Sequence, residues 1–159
     1  MEDTETTPKN NEGSESQEMT SFAGLYDIRD YTLDDKNFVL ATFLRGVYYA
    51  EGSWYKQIDK DIFMDHYKII AERTLDSGSA AIKIACLKED PSVIIGYSIL
   101  SSDYQAIIWV YVKKAWRLKG IGKSLVPKHP SAITHMTTLG KQLMAKFQTA
   151  RFNPFYGAR

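Results

Sequence analysis

Three consecutive strand-like runs constrain the fold of this 159-residue chain more than any other feature of its sequence. They occupy residues 80–87, 93–101 and 106–112, and each is rich in Ile, Val, Tyr or Ala. Short polar connections separate them, and such connections usually join strands that run in opposite directions. We therefore predict an antiparallel meander as the centre of the fold.

A strand and a helix are predicted ahead of the meander. The strand covers residues 25–31, and Thr32 with Asp35 resembles a capping box that opens a helix over residues 33–45. Three side chains of this helix are expected to be buried: Phe38, Ala41 and Leu44.

A second helix is predicted after an aromatic, glycine-containing segment. Residues 46–57 suit a loop over a cleft, and Asp59 can cap a helix over residues 60–75. Two adjacent faces of this helix carry the residues expected to pack. One face holds Ile62, His66, Ile69 and Arg73, and the other holds Phe63, Tyr67 and Ile70.

The chain makes a glycine-containing turn directly after the third run. Residues 112–125 read Val-Lys-Lys-Ala-Trp-Arg-Leu-Lys-Gly-Ile-Gly-Lys-Ser-Leu. Gly120 and Gly122 permit backbone torsions that other residues avoid, and they let the main chain approach an anion closely. Amides at a helix start point to one place, where the helix dipole adds partial positive charge and Lys119 and Lys123 attract phosphate. The turn therefore predicts a phosphate site, with a tight turn and solvated lysines as the structural alternative.

This turn resembles motif A of the GNAT (Gcn5-related N-acetyltransferase) superfamily. Trp116 matches the aromatic residue of that motif, Arg117 its Arg or Gln, and Gly120 and Gly122 its glycines; the resemblance extends over about residues 25–155. It implies an α/β (α+β) fold with a mixed, mostly antiparallel sheet of about six or seven strands and about four helices. It also implies that the turn binds the pyrophosphate of acetyl-CoA while the preceding strand pairs with the pantetheine amides. The implied cofactor-binding residues are Val110, Val112, Arg117, Leu118, Lys119, Gly120, Ile121, Gly122 and Lys123.

The C-terminal third follows the family pattern with two departures. Pro127 and Pro130 end the helix after about one turn, so we predict a shortened third helix. A fifth strand is then expected over residues 132–137, a fourth helix over residues 138–147, and a final strand near residues 152–155. The second departure is that the fourth helix carries no tyrosine to protonate a leaving thiolate, and the central strand before the turn carries no carboxylate.

The catalytic residues therefore stay open at this point. Glu51, Asp103 and His135 are candidates for the acid or base, and Tyr111 is a further proton donor. Each has a structural alternative: a solvated loop acid, a turn residue, a structural histidine or a packed tyrosine. Four aromatic residues are expected to shape the acceptor pocket: Tyr48, Tyr49, Trp54 and Tyr55.

Composition argues against several classes of protein. The net charge of +1 counts against a nucleic-acid binder that would use the basic residues near the glycine turn. The single cysteine, Cys86, forms no intrachain disulfide, and the three histidines stand too far apart for a zinc site, so no metal is expected. No stretch resembles a signal peptide or reaches the ~20 apolar residues of a membrane span, which leads us to expect a cytoplasmic protein, in the host cytoplasm if the chain is viral.

Residues 1–20 are acidic and lack aromatic residues, so we expect a disordered tail followed by one domain over residues 21–159. The predicted function is transfer of an acetyl group from acetyl-CoA to an amine of a small molecule or protein. The alternative is a catalytically degenerate module of the same fold that serves binding or assembly, as in similar divergent domains of phage genomes. Either function is compatible with a homodimer.

Overall fold

The computed structural model describes Phe22 and residues 24–157 as one six-stranded sheet with helices on both faces. The predicted disordered tail, residues 1–20, lies outside the described residues. The strands are β1 (Tyr26–Asp30), β2 (Ala80–Leu87), β3 (Ile94–Ser101), β4 (Ala106–Val112), β5 (Ala132–Ile133) and β6 (Arg151–Phe152), in this order across the sheet. Strands β1 to β4 are antiparallel neighbours, whereas β5 runs parallel to β4 and β6 parallel to β5. The predicted meander is confirmed.

Helices cover the sheet in two layers. They are α1 (Lys36–Tyr49), α2 (Lys60–Asp76), α3 (Ile121–Leu125) and α4 (Thr138–Lys146). Helices α1 and α2 pack on one face around Phe43, Phe63 and Tyr97, and α3 and α4 cover the other face around Ile95 and Ile107. The predicted fold class is confirmed, including the shortened third helix. None of the described helices is long and apolar enough to cross a bilayer.

The N-terminal part of the helical layer begins at the predicted capping box. The Thr32 amide donates to the Asp35 carboxylate at 2.8 Å, and the Asp35 amide donates to the Thr32 carbonyl at 3.0 Å. Two hydrogen bonds from Arg29 of β1, at 2.7 and 2.8 Å, hold the pKa of Asp35 below its usual range. The box opens a 3-10 turn (Leu33–Asp35) that leads directly into α1 and ties it to the edge strand.

Helix α1 continues through the first part of the predicted loop, so the expected loop over residues 46–57 begins only after Tyr49. Gly46 suggested a break, but it serves close packing: a Cβ built there would lie 2.7 Å from Cζ2 of Trp109. The buried stripe of α1 is also rotated from the one predicted. Leu44 is buried as expected and Phe38 is half-buried, but Ala41 is exposed, while Val39, Phe43, Val47 and Tyr48 form the core face.

Helix α2 buries one narrow stripe, at Phe63, Tyr67, Ala71 and Leu75. The prediction for Phe63 and Tyr67 is confirmed. The other predicted face is wrong, because α2 lies at the outside of the layer and buries side chains against α1 and the sheet along that stripe. The side chains that turn outward are Ile62, His66, Ile69, Ile70 and Arg73.

The last two strands are shorter than predicted. The fifth strand ends at Ile133 instead of residue 137, and the last strand overlaps the predicted residues 152–155 only at Phe152. β5 pairs with β4 only at Ala106 and Ile107, because β4 departs from it beyond that point, and β6 pairs with the same two residues of β5.

Replacing Gly46 with Ala is expected to lower the free energy of unfolding by about 1–3 kcal/mol, because the new methyl group would overlap a packed indole ring. The sign is informative, since Ala within a helix normally stabilises it by roughly 0.5–1 kcal/mol relative to Gly. In a Trp109→Phe background the smaller ring leaves room, and the loss should shrink. Urea denaturation followed by circular dichroism measures both; an equal loss in the two backgrounds would contradict this contact.

Candidate functional site

The sheet opens between β4 and β5. The two strands pair only at Ala106 with Ala132 and at Ile107 with Ile133. The last links are the Thr134 amide to the Ile107 carbonyl at 3.2 Å and the Thr134 hydroxyl to the Ile108 carbonyl at 3.3 Å. From there β4 continues to Val112 without β5 beside it. A V-shaped opening therefore forms in the middle of the sheet.

A β-bulge at Ile108 explains why β4 leaves β5. Trp109 pairs with Ile99 and Ile107 pairs with Leu100, so Ile108 is the extra residue of the ladder. A bulge bends its strand and increases the local twist. It also turns Ile108 and Trp109 to the same face, where both pack against the core beneath α1 and α2.

The backbone of Val110 and Val112 faces this opening. The Lys113 amide donates to the carbonyl of Ile95 on β3 at 2.8 Å, and backbone groups alternate in direction along a strand. Tyr111 and Trp109 therefore bond to β3, while Val110 and Val112 point away from it. Arg117 supports this assignment, because its Nε donates to the Val112 carbonyl at 3.0 Å. Both valines were predicted to bind the cofactor.

The glycine turn follows immediately, in an unusual backbone conformation. Leu118 has a φ of 62° and Gly120 a φ of 81°, and Leu118 is fully exposed. Helix α3 starts here with the Ser124 amide donating to the Gly120 carbonyl at 3.1 Å. The amides of residues 121–123 belong to the first turn of that helix, and they donate to no acceptor within the described residues.

Helix α3 is short but firmly attached. Ile121 and Leu125 are buried against Ala85 and Ile95 on the sheet. The Ser98 hydroxyl donates to the last carbonyl of the helix, that of Leu125, at 2.7 Å. One helical turn therefore suffices to fix the positions of the amides before it. Gly122 needs no glycine for steric reasons, because a Cβ there would lie 3.8 Å from Val112 Cγ2, an ordinary contact.

The basic side chains of the turn point in different directions. Lys119 places its Nζ 3.8 Å from the ring centre of Phe22 and 6.0 Å from that of Trp116. Arg117 lies on the carbonyl of Val112, and Lys123 is exposed. The basic side chains therefore do not converge on one point, and the free backbone amides of residues 121–123 are the donors that the turn presents together.

A pocket of about 520 Å³ lies on the α1 and α2 side of the opening. Ile108, Thr134 and His135 form its wall at the point where β4 and β5 separate. Of the four aromatic residues predicted to shape an acceptor pocket, Trp54 and Tyr55 line this pocket, whereas Tyr48 is buried under α2 and Tyr49 is exposed outside the lining.

A hydrogen-bonded chain crosses the wall of this pocket. The Thr134 hydroxyl donates to the Ile108 carbonyl, so it accepts from Nδ1 of His135 at 2.8 Å. Nε2 of His135 then accepts from the hydroxyl of Tyr67 on α2, also at 2.8 Å. Burial lowers the pKa of His135 to about 4 and raises the pKa of Tyr67, so both groups are uncharged at neutral pH.

Only His135 among the three proposed acid–base residues lies in this pocket. Glu51 is exposed in the loop after α1, where its carbonyl accepts from the Thr138 amide at 2.9 Å. Asp103 is a turn residue that accepts from Ser101, the Gln105 amide and Tyr156, and these bonds lower its pKa. Tyr111 stacks on Tyr97, with ring centres 5.3 Å apart. Tyr67 was assigned to packing alone, because no local pattern links it to His135.

A narrow slot connects the pocket with the opposite face of the sheet. It shares Ile108, His135 and Thr137 with the pocket and holds about 20 Å³. Trp109 and two leucines of α4, Leu139 and Leu143, form its sides. The backbone opening is thus wide, while side chains close most of it. Among the described residues, no cluster of His, Cys, Asp and Glu is arranged to hold a metal ion.

Comparison with solved structures finds acetyltransferases of similar fold. A GCN5-related N-acetyltransferase from Rhodopseudomonas palustris is 17% identical, with a TM-score of 0.45 over 64% of this chain and 61% of that chain. A putative acetyl transferase from Pyrococcus furiosus is 17% identical, with a TM-score of 0.44 over 82% of this chain and 87% of that chain. An aminoglycoside N-acetyltransferase in complex with CoA is 16% identical, with a TM-score of 0.44 over 80% of this chain and 90% of that chain.

The chain spans only 60% to 66% of the length of three of the solved structures that it matches. No family model matches the sequence, and no curated protein matches it. These likenesses concern the fold, so what the site does has to follow from its own geometry.

Protein stability is expected to fall as the pH is lowered from about 6.5 towards 4, because of His135. The unfolded chain protonates this imidazole near pH 6.5 and the folded chain only near pH 4, so the unfolded state binds more protons between these values. Its contribution is complete above pH 6.5. Urea midpoints measured against pH should show this slope in the wild type, a flatter one in His135→Gln, and an unchanged one in the exposed-residue control His66→Gln. Parallel curves for wild type and His135→Gln would contradict it.

Proposed function

We propose that this chain is an N-acetyltransferase that moves an acetyl group from acetyl-CoA to an amine. The observation that carries the proposal is the opening beyond Ile108, along which the backbone groups of Val110 and Val112 have no strand partner. An extended ligand that carries amide groups can add to such an edge as a further strand would. The turn with its unbonded amides lies at the end of the same edge, where the diphosphate of such a ligand would reach.

The residues present fit acetyl-CoA as a substrate. The amides of Ile121, Gly122 and Lys123 suit an anion at a helix start, and Arg117 lies beside the carbonyl of Val112 at the same place. The pantetheine arm has two amides, and the alternate residues Val110 and Val112 each offer one N–H and one C=O. Leu118 supports a ligand role for the turn, because an exposed leucine held at positive φ is a strained conformation.

The slot must widen for this substrate. Its volume of about 20 Å³ accommodates roughly one water molecule. Helix α4 is the wall best able to move, since Gly140 is its only buried residue. Gly140 packs directly on the segment that follows β5, where a Cβ would overlap the His135 carbonyl. We propose that α4 pivots about this contact as the pantetheine arm enters.

Acetyl-CoA supplies a thioester whose carbonyl carbon is attacked by the amine, with the thiolate as the leaving group. The pocket residues hold the amine next to the opening, and positioning of this kind provides much of the rate gain in such transfers. One proton must pass from nitrogen to sulfur. Tyr67 stays protonated at neutral pH, and its hydroxyl donates to His135 Nε2 before the reaction. To complete the transfer, the hydroxyl turns from Nε2 to sulfur, gives up its proton there and regains one from nitrogen.

A binding module without catalysis is the second candidate. It is favoured by one observation: neither Glu51 nor Asp103 lies in the pocket, so no carboxylate base is positioned there within the described residues. Amine-dependent release of CoA by the purified chain supports the enzyme. Binding of acetyl-CoA without release, across a panel of amines, supports the module.

Replacing Gly122 with Glu is expected to weaken acetyl-CoA binding at least tenfold, because the new carboxylate would lie among the amides proposed to hold the diphosphate. The fold should tolerate the change, since a Cβ at this position meets only Val112 at 3.8 Å. Isothermal titration calorimetry gives the dissociation constants, and thermal unfolding reports the fold.

Gly122→Ala is the matched control, because it adds the same Cβ without charge and should retain binding. Equal affinity of wild type and Gly122→Glu, with both proteins folded, would remove the turn from the site.

A further inference from the structure

The lining of the 520 Å³ pocket carries no Asp, Glu, Lys or Arg within the part of the chain that the structure describes. Its walls are aromatic, aliphatic and hydroxyl side chains, with His135 as the imidazole. His135 lines both the pocket and the slot, and burial lowers its pKa to about 4, so it is neutral at physiological pH. Burial also raises the pKa of Tyr55 and Tyr67, which keeps both phenols neutral.

One acidic side chain, Asp103, is hydrogen-bonded to residues that line the pocket. Asp103 lies behind two lining residues and accepts hydrogen bonds from Ser101 at 2.5 Å and Tyr156 at 2.7 Å. Its Oδ1 also accepts from the Gln105 amide at 3.0 Å. These bonds hold the carboxylate in the turn between β3 and β4, outside the lining of the pocket, so it forms no direct ion pair with a ligand there.

Aromatic rings in and beside the pocket pair with one another. A cation–π cage needs several free ring faces turned towards one point. Here one face of each ring is covered by its neighbour: Trp54 stacks on Tyr55 at 4.2 Å between centres, and Phe63 stacks on Tyr67 at 4.9 Å. The edge of Tyr67 meets Tyr55 at 5.2 Å. The pocket therefore offers an apolar, aromatic surface and hydrogen bonds to neutral groups.

An ammonium group placed here would lose its water without gaining a partner of opposite charge, which is strongly unfavourable. An aromatic amine is uncharged at neutral pH, and its ring can pack against the aromatic walls. It also carries a free lone pair, so it needs no base to remove a proton before attack. Such an acceptor therefore does not require a carboxylate base, and the described lining of the pocket carries none.

We infer that the acceptor is an aromatic amine that is uncharged at neutral pH, bound in the pocket between α2 and the opening of the sheet. This inference rests on the proposed N-acetyltransferase function. The amine nitrogen lies next to Ile108 and His135, where the pocket meets the slot, and the ring extends towards Trp54 and Tyr55.

Two isomers of the same formula test the charge requirement. p-Toluidine is uncharged at neutral pH, whereas benzylamine is an ammonium ion of equal size. With acetyl-CoA, CoA release is measured for each amine and divided by the uncatalysed rate in the same buffer. The expected kcat/KM ratio favours p-toluidine at least about tenfold after this correction, since a lone buried charge is heavily penalised. A corrected kcat/KM that is higher for benzylamine than for p-toluidine overturns the inference. A higher value for the charged aliphatic amine spermidine does the same.

A carboxylate added to the wall should reverse the preference. Ile70 is half exposed on α2, one turn from Tyr67, and lines the pocket. Ile70→Asp is expected to raise turnover of benzylamine about tenfold relative to p-toluidine, because it provides the missing counter-charge. Ile69→Asp changes an equally exposed isoleucine outside the lining and should leave the ratio unchanged. The same shift in both variants overturns the assignment of this pocket.

Failure of the acceptor inference differs from failure of the proposed function. Quenching of tryptophan fluorescence measures binding of p-toluidine and benzylamine directly, without acetyl-CoA. Turnover of benzylamine or spermidine but not p-toluidine leaves the transferase intact and removes the acceptor class. Tighter binding of p-toluidine than of benzylamine, with no binding of acetyl-CoA, retains the pocket chemistry and removes the transferase. Equal binding of the two isomers, or binding of neither, overturns the inference.

Discussion

The bulge at Ile108 is the constraint on which the rest of the site depends. One extra residue in β4 bends the strand away from β5, so the two strands stay together only at Ala106 and Ile107. The bend leaves the edge of β4 without a partner and brings the glycine turn to its end. It also turns Trp109 to the face where α1 and α2 lie. The open edge and the pocket wall at the point where the strands separate both follow from that single change of register.

The hydrophobic core then determines what lies beside the opening. Gly46 of α1 lets the indole of Trp109 lie flat against the helix, and Trp109 and Phe43 both meet the imidazole of His135 edge-on. Those contacts desolvate His135 and keep it neutral. They also hold it where Tyr67 can reach it. The polar chain of the pocket is therefore supported by apolar packing, and the local dielectric that shapes its chemistry comes from the same residues that stabilise the fold.

The parts that sequence predicted well are those determined by local patterns. Strands of the meander carry apolar runs with short polar turns, and the capping box and the glycine turn each depend on a few adjacent residues. Pro127 and Pro130 likewise predicted that α3 would be short. Such features need no knowledge of what packs against them.

The parts that were wrong or unseen depend on tertiary contacts. Gly46 suggested a loop, but a glycine within a helix can equally mark a close neighbour, and Trp109 is distant in the sequence. The outer face of α2 has the periodicity of a buried one, although nothing among the described residues covers it. Tyr67 and His135 are 68 positions apart, so no local spacing could pair them. The predicted length of β5 was wrong for a similar reason, because the bend of β4 limits how far the two strands can pair.

Amide hydrogen exchange of β4, observed by NMR with and without CoA, tests the central claim most directly. Trp109 and Tyr111 bond to β3 and should exchange slowly in both states, whereas Val110 and Val112 face the opening and should exchange fast in the free protein. Saturating CoA is expected to slow Val110 and Val112 and to leave their neighbours unchanged. Val110 and Val112 that are already slow without CoA, or that keep their rates at saturation, would contradict a ligand edge along β4.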